Sequence, residues 1–237
     1  MENIFTIIIP AYNEEKYIYN TLWMISRQYD VNNLRVIVAD GGSTDRTIEM
    51  VSKASVDFKN LQIELVGGGK VAKGRNVGAG LTHTPYVLFM DADSILIEED
   101  IFQQTLKYID GYDIITCKQK STTYSDIRSV WVYKIFNWIR SKMPQTFCTG
   151  CYFFISKEKF NELGGFDESL NNSEDFWLSK KVPKSKFKIL NRYIGQDNRR
   201  FKKIGYFKFL KIVILNYLYR NNIKWFKKDV GYWGGYE

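Results

Sequence analysis

Four short apolar runs, NIFTIIIPA, LRVIVAD, LQIELVGG and YVLFMDAD, recur within the first 93 residues, each closed by a polar or glycine-containing turn. Runs of this length, rich in Ile, Val and Leu, suit strands buried on both faces, and helical stretches between them specify parallel β-α-β units. Asn13 is predicted to cap the first helix, with Glu14 and Glu15 at its positive end and Ile18, Leu22 and Ile25 on one face. The turn Gly41-Gly42 and a Ser43-Thr44-Asp45 cap introduce the second helix, RTIEMVSKA, and KGRNVGAGLTH reads as the third. Such a chain folds as an α/β domain, a mostly parallel sheet flanked by helices, with ligands outside the carboxyl ends of its strands.

Three acids fall on that rim. Asp40 ends the second run, and Asp91 and Asp93 end the fourth. Side chains at i and i+2 of a strand share a face, so Asp91 and Asp93 are predicted to point the same way. Like charges so placed repel unless they face water or share a hard cation with oxygen ligands. The competing reading is a set of polar turns that only terminate strands.

Farther along, EEDIFQQTLKYI reads as a helix, YDIITCKQK as a strand and VWVYKIFNWIRSK as an aromatic-rich helix. CYFFISKEKFNELGGF combines a strand with a short helix closed by Gly164-Gly165; SEDFWLSKKV is a helix capped by Ser173, and KFKILNRY a late strand. A chain of 237 residues with 45% hydrophobic and 25% charged residues and four prolines holds one large domain plus an appendage, without a disordered linker. The N-terminus lacks signal-peptide features, and three cysteines are too few for a disulfide framework, so a reducing, cytoplasmic location is expected. Cys148 and Cys151 have C-x-x-C spacing but no second pair, which favours a structural role. His83 precedes Pro85 and reads as a loop residue rather than a ligand, and Gly67-Gly68-Gly69-Lys70 fails the phosphate-loop spacing.

Five segments then stand in order: Pro10-Ala-Tyr-Asn-Glu14, Asp40-Gly-Gly-Ser-Thr-Asp45, Lys73-Gly-Arg-Asn76, Asp91-Ala-Asp93, and Gly164-Gly-Phe-Asp-Glu168 followed by Glu174-Asp175. Together they resemble the inverting GT-A-fold family 2 glycosyltransferases over about residues 4–180. The resemblance implies a GT-A type, Rossmann-like catalytic domain over residues 1–197 that transfers a sugar from a nucleotide diphosphate such as a UDP- or GDP-sugar. It puts Pro10, Tyr12 and Glu14 around the base and ribose, Asp40 as an acceptor there, Lys73 and Arg75 at the donor, and Thr149 and Gly150 beneath the donor sugar. Many relatives have Asp-Asp-Gly-Ser where this chain has Asp-Gly-Gly-Ser, so Gly41 removes one carboxylate. A diphosphate leaving group gains charge as it departs, and a divalent ion on carboxylates neutralises it. Asp93 is the expected metal ligand, assisted by Asp91, and oxygen ligands favour Mn2+ or Mg2+ over zinc. The acceptor proton requires a base, which the resemblance assigns to Asp175 with Glu174 beside it and Asp167 as the runner-up. Arg199 and Arg200 match an arginine-rich segment that reaches the donor diphosphate or an acceptor phosphate.

The formal charge of +8 lies wholly beyond Asp197, where Asn198 to Lys228 holds ten Lys and Arg and no acid. The segment 198–237 is therefore expected to form a basic amphipathic helical appendage. It lacks an apolar stretch long enough to span a bilayer. As a helix it sets Lys208, Lys211, Asn216 and Arg220 on one half and Phe207, Leu210, Ile214 and Leu218 on the other, which suits an anionic membrane surface. Packing on the catalytic domain and a nucleic-acid patch are the alternatives, and nothing else in the chain resembles a nucleic-acid module. A lipid-linked glycan or polyprenyl phosphate is the expected acceptor, and absence of a Q-x-x-R-W signature points to single-sugar transfer. Two other functions compete: a sugar-1-phosphate nucleotidyltransferase, which would place a G-x-G-T-R loop at Pro10-Ala-Tyr-Asn, and a catalytically silent, membrane-associated sugar-nucleotide-binding protein.

Overall fold

The computed structural model describes residues 4–228, so the last nine residues of the basic segment lie outside the description. The first half alternates as read from the sequence: β1 (Phe5–Ala11), α1 (Ile18–Ser26), β2 (Leu34–Asp40), α2 (Thr47–Asp57), β3 (Leu61–Gly67), α3 (Val71–Gly80) and β4 (Tyr86–Phe89). There follow β5 (Ile95–Leu96), α4 (Ile101–Leu106), β6 (Ile114–Ser121), α5 (Ile127–Lys142), β7 (Phe153–Ser156), α6 (Lys157–Glu162), α7 (Glu174–Ser179) and β8 (Phe187–Gln196). The basic segment forms α8 (Arg199–Ile204), α9 (Tyr206–Leu218) and α10 (Ile223–Phe226).

Among the described residues the strands make one sheet in the order β3-β2-β1-β4-β7-β6-β8-β5. It is a mixed sheet: β7 runs antiparallel to both β4 and β6, and β5 antiparallel to β8, whereas the other pairings are parallel. The mostly parallel sheet expected from the sequence is thus partly antiparallel, because apolar periodicity fixes which residues are buried but not the direction of a strand. The reversal matters for the site. Phe153 at the start of β7 pairs with Phe89 at the end of β4, so the Thr149-Gly150 loop enters the sheet on the rim beside Asp91.

Alternation of side chains divides the core between the two faces. Ile7 and Ile9 join Leu22, Ile25 and Val51 on one side, while Ile8 joins Val87, Phe89, Phe160 and Phe166 on the other. Helix α3 lies so close to β1 that a Cβ on Gly78 would fall 2.5 Å from Ile8 Cγ2.

Local capping differs from the sequence expectation at two helices. Asn13 does not cap α1, which starts at Ile18 without acids in its first turn; Asn13 sits at φ 53° and its Oδ1 accepts from Thr44 N–H at 2.8 Å. Glu15 N–H donates to Asp45 Oδ2 (3.1 Å) and Glu14 N–H to Thr47 Oγ1 (2.7 Å), so the loop after β1 zips to the loop after β2. Those contacts satisfy backbone groups that an earlier helix start would have used. Ser173 does precede α7, but at φ 56° its side chain makes no cap; Oγ instead accepts from Asn216 Nδ2 of α9 at 3.1 Å.

The basic segment returns to the domain at its end. Phe226 is fully buried with Met143, Leu170 and Phe176, and its carbonyl accepts from Asn171 N–H at 2.9 Å. Lys180 Nζ, just past the end of α7, reaches the Arg220 carbonyl at 2.8 Å. No helix among the described residues is long and apolar enough to cross a membrane.

Candidate active site

Strand β4 ends at Phe89, so Asp91 and Asp93 are not delivered by strand alternation as expected. They stand in a turn closed by Ser94 N–H on the Asp91 carbonyl at 3.1 Å, with Ala92 buried between them. A turn frees each carboxylate to find its own cation. Asp91 Oδ1 meets Arg75 Nη2 at 2.6 Å, and Asp93 Oδ2 meets Arg199 Nη2 at 2.6 Å.

Arg75, expected at the donor, lies in the interior at 1% exposure. Its other arm reaches Glu174 Oε1 at 2.5 Å, so the guanidinium joins the β4 turn to the first residue of α7. Burial works against its charge, but Asp91 and Glu174 outweigh that and hold it firmly protonated. Next in the same motif, Asn76 exchanges hydrogen bonds with the backbone of Phe166 at 2.9 and 3.0 Å, tying α3 to the Gly164-Gly165 turn. Gly150 exists for this arginine: a Cβ there would lie 1.9 Å from Arg75 Nη2. Because two carboxylates pin that arm, Gly150→Ala is expected to cost about 1–3 kcal/mol and lower the melting temperature by about 2–12 °C. Gly80→Ala, whose added carbon meets open space, is the control in the same thermal scan.

Asp175 follows Glu174. Its Oδ2 accepts from Gly150 N–H at 2.8 Å and its Oδ1 from Phe176 N–H at 2.7 Å. Although part of the residue reaches solvent, its carboxyl is enclosed; burial and the neighbouring Glu174 push it up to about 7 against the opposing pull of Arg75. A carboxyl poised near neutrality is suited to accept a proton from a substrate. Asp167, the alternative base, accepts from its own turn at Ser169 N–H (2.9 Å) and Oγ (2.6 Å) and shapes that loop.

The second cation, Arg199, is the first residue of α8. It forks onto Glu14 with both arms at 2.8 Å while reaching Asp93, and stacks over the Tyr17 ring at 4.4 Å. Burial raises the Glu14 carboxyl, Arg199 opposes this, and Asp93 and Asp91 add to the rise. Among the described residues no group of three or more His, Cys, Asp or Glu is arranged to hold a metal ion. Mg2+ or Mn2+ takes one or two protein carboxylates and completes its shell with water and substrate phosphate, and Asp91 and Asp93 are the oxygen donors this turn offers. Asp93 already holds a cation, the guanidinium, at the rim. Beside it a polar cleft of about 340 Å³ is lined by Asn13, Glu15, Lys16, Tyr17, Asp45 and Arg199.

The remaining candidates are less uniform. Asp40 is buried and already accepts from Gly42 N–H (2.9 Å), Ser43 N–H (3.0 Å) and Ser43 Oγ (2.5 Å), so it organises its own turn. Gly41 has a steric reason, since a Cβ there would be 2.9 Å from the Gly69 carbonyl. Pro10 and Tyr12 are half-buried at the end of β1, and Lys73 is exposed. Thr149 Oγ1 accepts from Gln119 Nε2 at 2.6 Å. Arg200 lies on α8, with its side chain outside the described residues. The three cysteines are buried, and burial pushes the Cys151 thiol up to about 12, which fits a structural role. His83 is exposed in a loop, as read from the sequence. Sequence reasoning missed Tyr17 beneath Arg199 and Gln119 beneath Thr149; neither belongs to a motif, and only folding brings them there.

The fold and site define an α/β domain with an acidic, arginine-bridged rim at the carboxyl ends of its central strands. The chain belongs to Glycosyl transferase family 2, whose profile matches residues 6–164. It is similar to a hyaluronan synthase of Pasteurella multocida, 26% identical over 94% of this chain and 24% of that protein. The poly(ribitol-phosphate) beta-N-acetylglucosaminyltransferase TarS of Staphylococcus aureus is 33% identical over 49% of this chain and 21% of its own length. The chain thus spans about a quarter of these relatives. Among solved structures, TarS in complex with UDP superposes with TM-score 0.63 at 22% identity over 82% of this chain and 60% of that one. The mannosyltransferase PcManGT of Pyrobaculum calidifontis, in complex with GDP-Man and Mn2+, gives 0.65 at 22% identity over 81% and 56%.

Proposed function

We propose that the protein moves one sugar from a UDP- or GDP-sugar to an acceptor hydroxyl or phosphate, with inversion at the anomeric carbon. The observation that carries this reading is the enclosed Asp175 carboxyl, bonded to the Gly150 amide on the same rim as Asp93. For a hydroxyl acceptor, its oxygen attacks the anomeric carbon opposite the diphosphate while Asp175 takes the proton. The bond to the diphosphate oxygen breaks, and the nucleoside diphosphate leaves with the electron pair. Asp93, assisted by Asp91, would hold Mn2+ or Mg2+, which would supply positive charge to the leaving diphosphate. Arg199 and Arg200 take further phosphate charge, since a planar guanidinium matches two phosphate oxygens. Pro10, Tyr12 and Glu14 surround the nucleoside, Asp40 acts there through the turn it shapes, Lys73 supports the donor, and Thr149 and Gly150 lie under the sugar. Arg75 acts from the interior as a positioning residue, fixing Asp91 and Glu174.

The donors in the UDP-GlcNAc complex of TarS and the GDP-Man complex of PcManGT support the donor class. An O-antigen chain rhamnosyltransferase among the relatives supports glycan assembly, and the acceptor in this reading is a lipid-linked saccharide or polyprenyl phosphate. Residues 1–197 are the catalytic unit in this reading. Residues 198–237 hold it peripherally at the cytoplasmic face of an anionic membrane, through the exposed Phe207, Leu210 and Leu218 of α9 and their lysine neighbours.

The test mixes the protein with Mn2+, a panel of UDP- and GDP-sugars and a panel of polyprenyl phosphate and lipid-linked saccharide acceptors, and measures nucleoside diphosphate release. Asp93→Asn is expected to lower release by about 100-fold or more, because metal charge on the leaving group is worth several kcal/mol. A panel with no turnover, or an Asp93→Asn variant as active as the parent, removes this reading.

A further inference from the structure

Helix α5 is built inside out. The two side chains it buries, Ser129 and Arg140, are polar: Ser129 Oγ pairs with Ser121 Oγ at 2.6 Å and Arg140 donates to the Cys117 carbonyl, while Asn137 exchanges hydrogen bonds with the Gln119 backbone at 3.0 and 2.6 Å and Phe136 packs on Phe147 at 5.6 Å. Its outward face is apolar. Ile127 is 61% exposed, Trp131 56%, Ile135 51% and Trp138 65%. Spacings of four, four and three residues put these side chains in one stripe. A helix that only faced water would carry the opposite pattern.

Within the helix the charges beside the stripe have one sign, and Asp126 just before it pairs with Arg128 at 3.2 Å. Arg128, Lys134 and Lys142 are exposed, no acid occurs from Ile127 to Lys142, and the Lys134 ammonium sits 4.9 Å from the centre of the Trp131 ring. The head of α5 is also tied to the basic segment. Asp126, just before α5, accepts from Asn198 Nδ2 at 2.9 Å and Tyr206 hydroxyl at 2.6 Å, and Tyr133 packs on Phe201 at 5.7 Å. A Trp and Ile stripe left exposed by the described residues, and edged by Arg128, Lys134 and Lys142, complements a surface that is apolar beneath and anionic above. A second copy of this chain would bring basic edges against basic edges, which opposes self-association.

We propose that α5 is a membrane-contact helix, with Ile127, Trp131, Ile135 and Trp138 seated at the headgroup–acyl boundary of an anionic bilayer and Arg128, Lys134 and Lys142 on its lipid phosphates. This deepens the membrane reading above, which it rests on but which invoked α9 alone. The two helices hold the domain at the lipid surface together, and neither is part of the donor site.

The test is sedimentation of the full chain with phosphatidylcholine vesicles, with or without about one-third phosphatidylglycerol, a headgroup charge that attracts Lys and Arg. The parent is expected on the anionic vesicles only. Trp131→Ser/Trp138→Ser is expected to weaken partitioning at least about tenfold, and Lys134→Glu/Lys142→Glu to abolish the preference for anionic lipid. Both should keep the parental melting temperature and lipid-free donor turnover, because these side chains face outward. Parental binding by both α5 variants, while Phe207→Ser/Leu218→Ser fails to bind, overturns the role of α5 and leaves that of α9. Failure of the parent to bind overturns both membrane readings, and a parental dimer dissolved by the α5 tryptophan substitutions assigns the stripe to a second copy. Donor turnover is measured separately, so none of these outcomes bears on the transferase reading.

Discussion

Asp175→Asn is expected to reduce turnover by about 100- to 10,000-fold while making the protein less sensitive to rising pH, since general-base catalysis supplies rate factors of that size. In the proposed role Asp175 works only when ionised, and burial with Glu174 alongside pushes it up to about 7. For a hydroxyl acceptor, kcat/KM should therefore fall as pH drops below 7, with the slope of a single proton. Stability moves the other way. The folded carboxyl holds its proton more tightly than the unfolded one, whose pKa is about 3.9. Its contribution to stability is complete below about pH 4 and is lost as pH rises to about 7. Asparagine has no charge to desolvate, so the variant should gain on the parent in melting temperature between pH 5 and pH 7 and hold that gain at pH 8. A variant whose melting temperature tracks the parent across this range would show that Asp175 is not raised, and one that keeps parental turnover would show that it is not the base.

The second large effect belongs to Arg75. Removing a fully buried arginine that bridges Asp91 and Glu174 leaves two carboxylates without their cation. Arg75→Met should cost about 3–5 kcal/mol, seen as a fall of about 6–20 °C in melting temperature. Arg75→Lys should not restore it, because a point charge cannot fork to both acids. Adding Asp91→Asn and Glu174→Gln to Arg75→Met should recover part of the loss, since the stranded charges are then gone. A melting temperature unchanged in Arg75→Met would mean that water, rather than this arginine, solvates the pair.

Two later features show where sequence reasoning stops. The run Tyr86–Phe89 was legible as a strand because every residue in it is apolar or aromatic, but its end was not. Asp91 and Asp93 lie one turn beyond it, and their different arginine partners come from 16 and 106 residues away. Asn13 has the composition of a helix cap, yet the loop after β2 offers its side chain a backbone partner 31 residues away, and the helix starts later.

By itself the sequence determined that this chain alternates buried strands with helices, that acids crowd the carboxyl ends of those strands and that the basic charge collects in the last segment. Those are local properties, set by the order of apolar, acidic and basic residues along the backbone. Only the tertiary structure decided that β7 runs backwards and brings Gly150 to the rim, that Arg75 is interior while Arg199 is at the cleft, and that α5 turns its tryptophans outward. Pairing direction and ion-pair choice depend on which distant segments meet, and that is settled by packing and desolvation rather than by spacing.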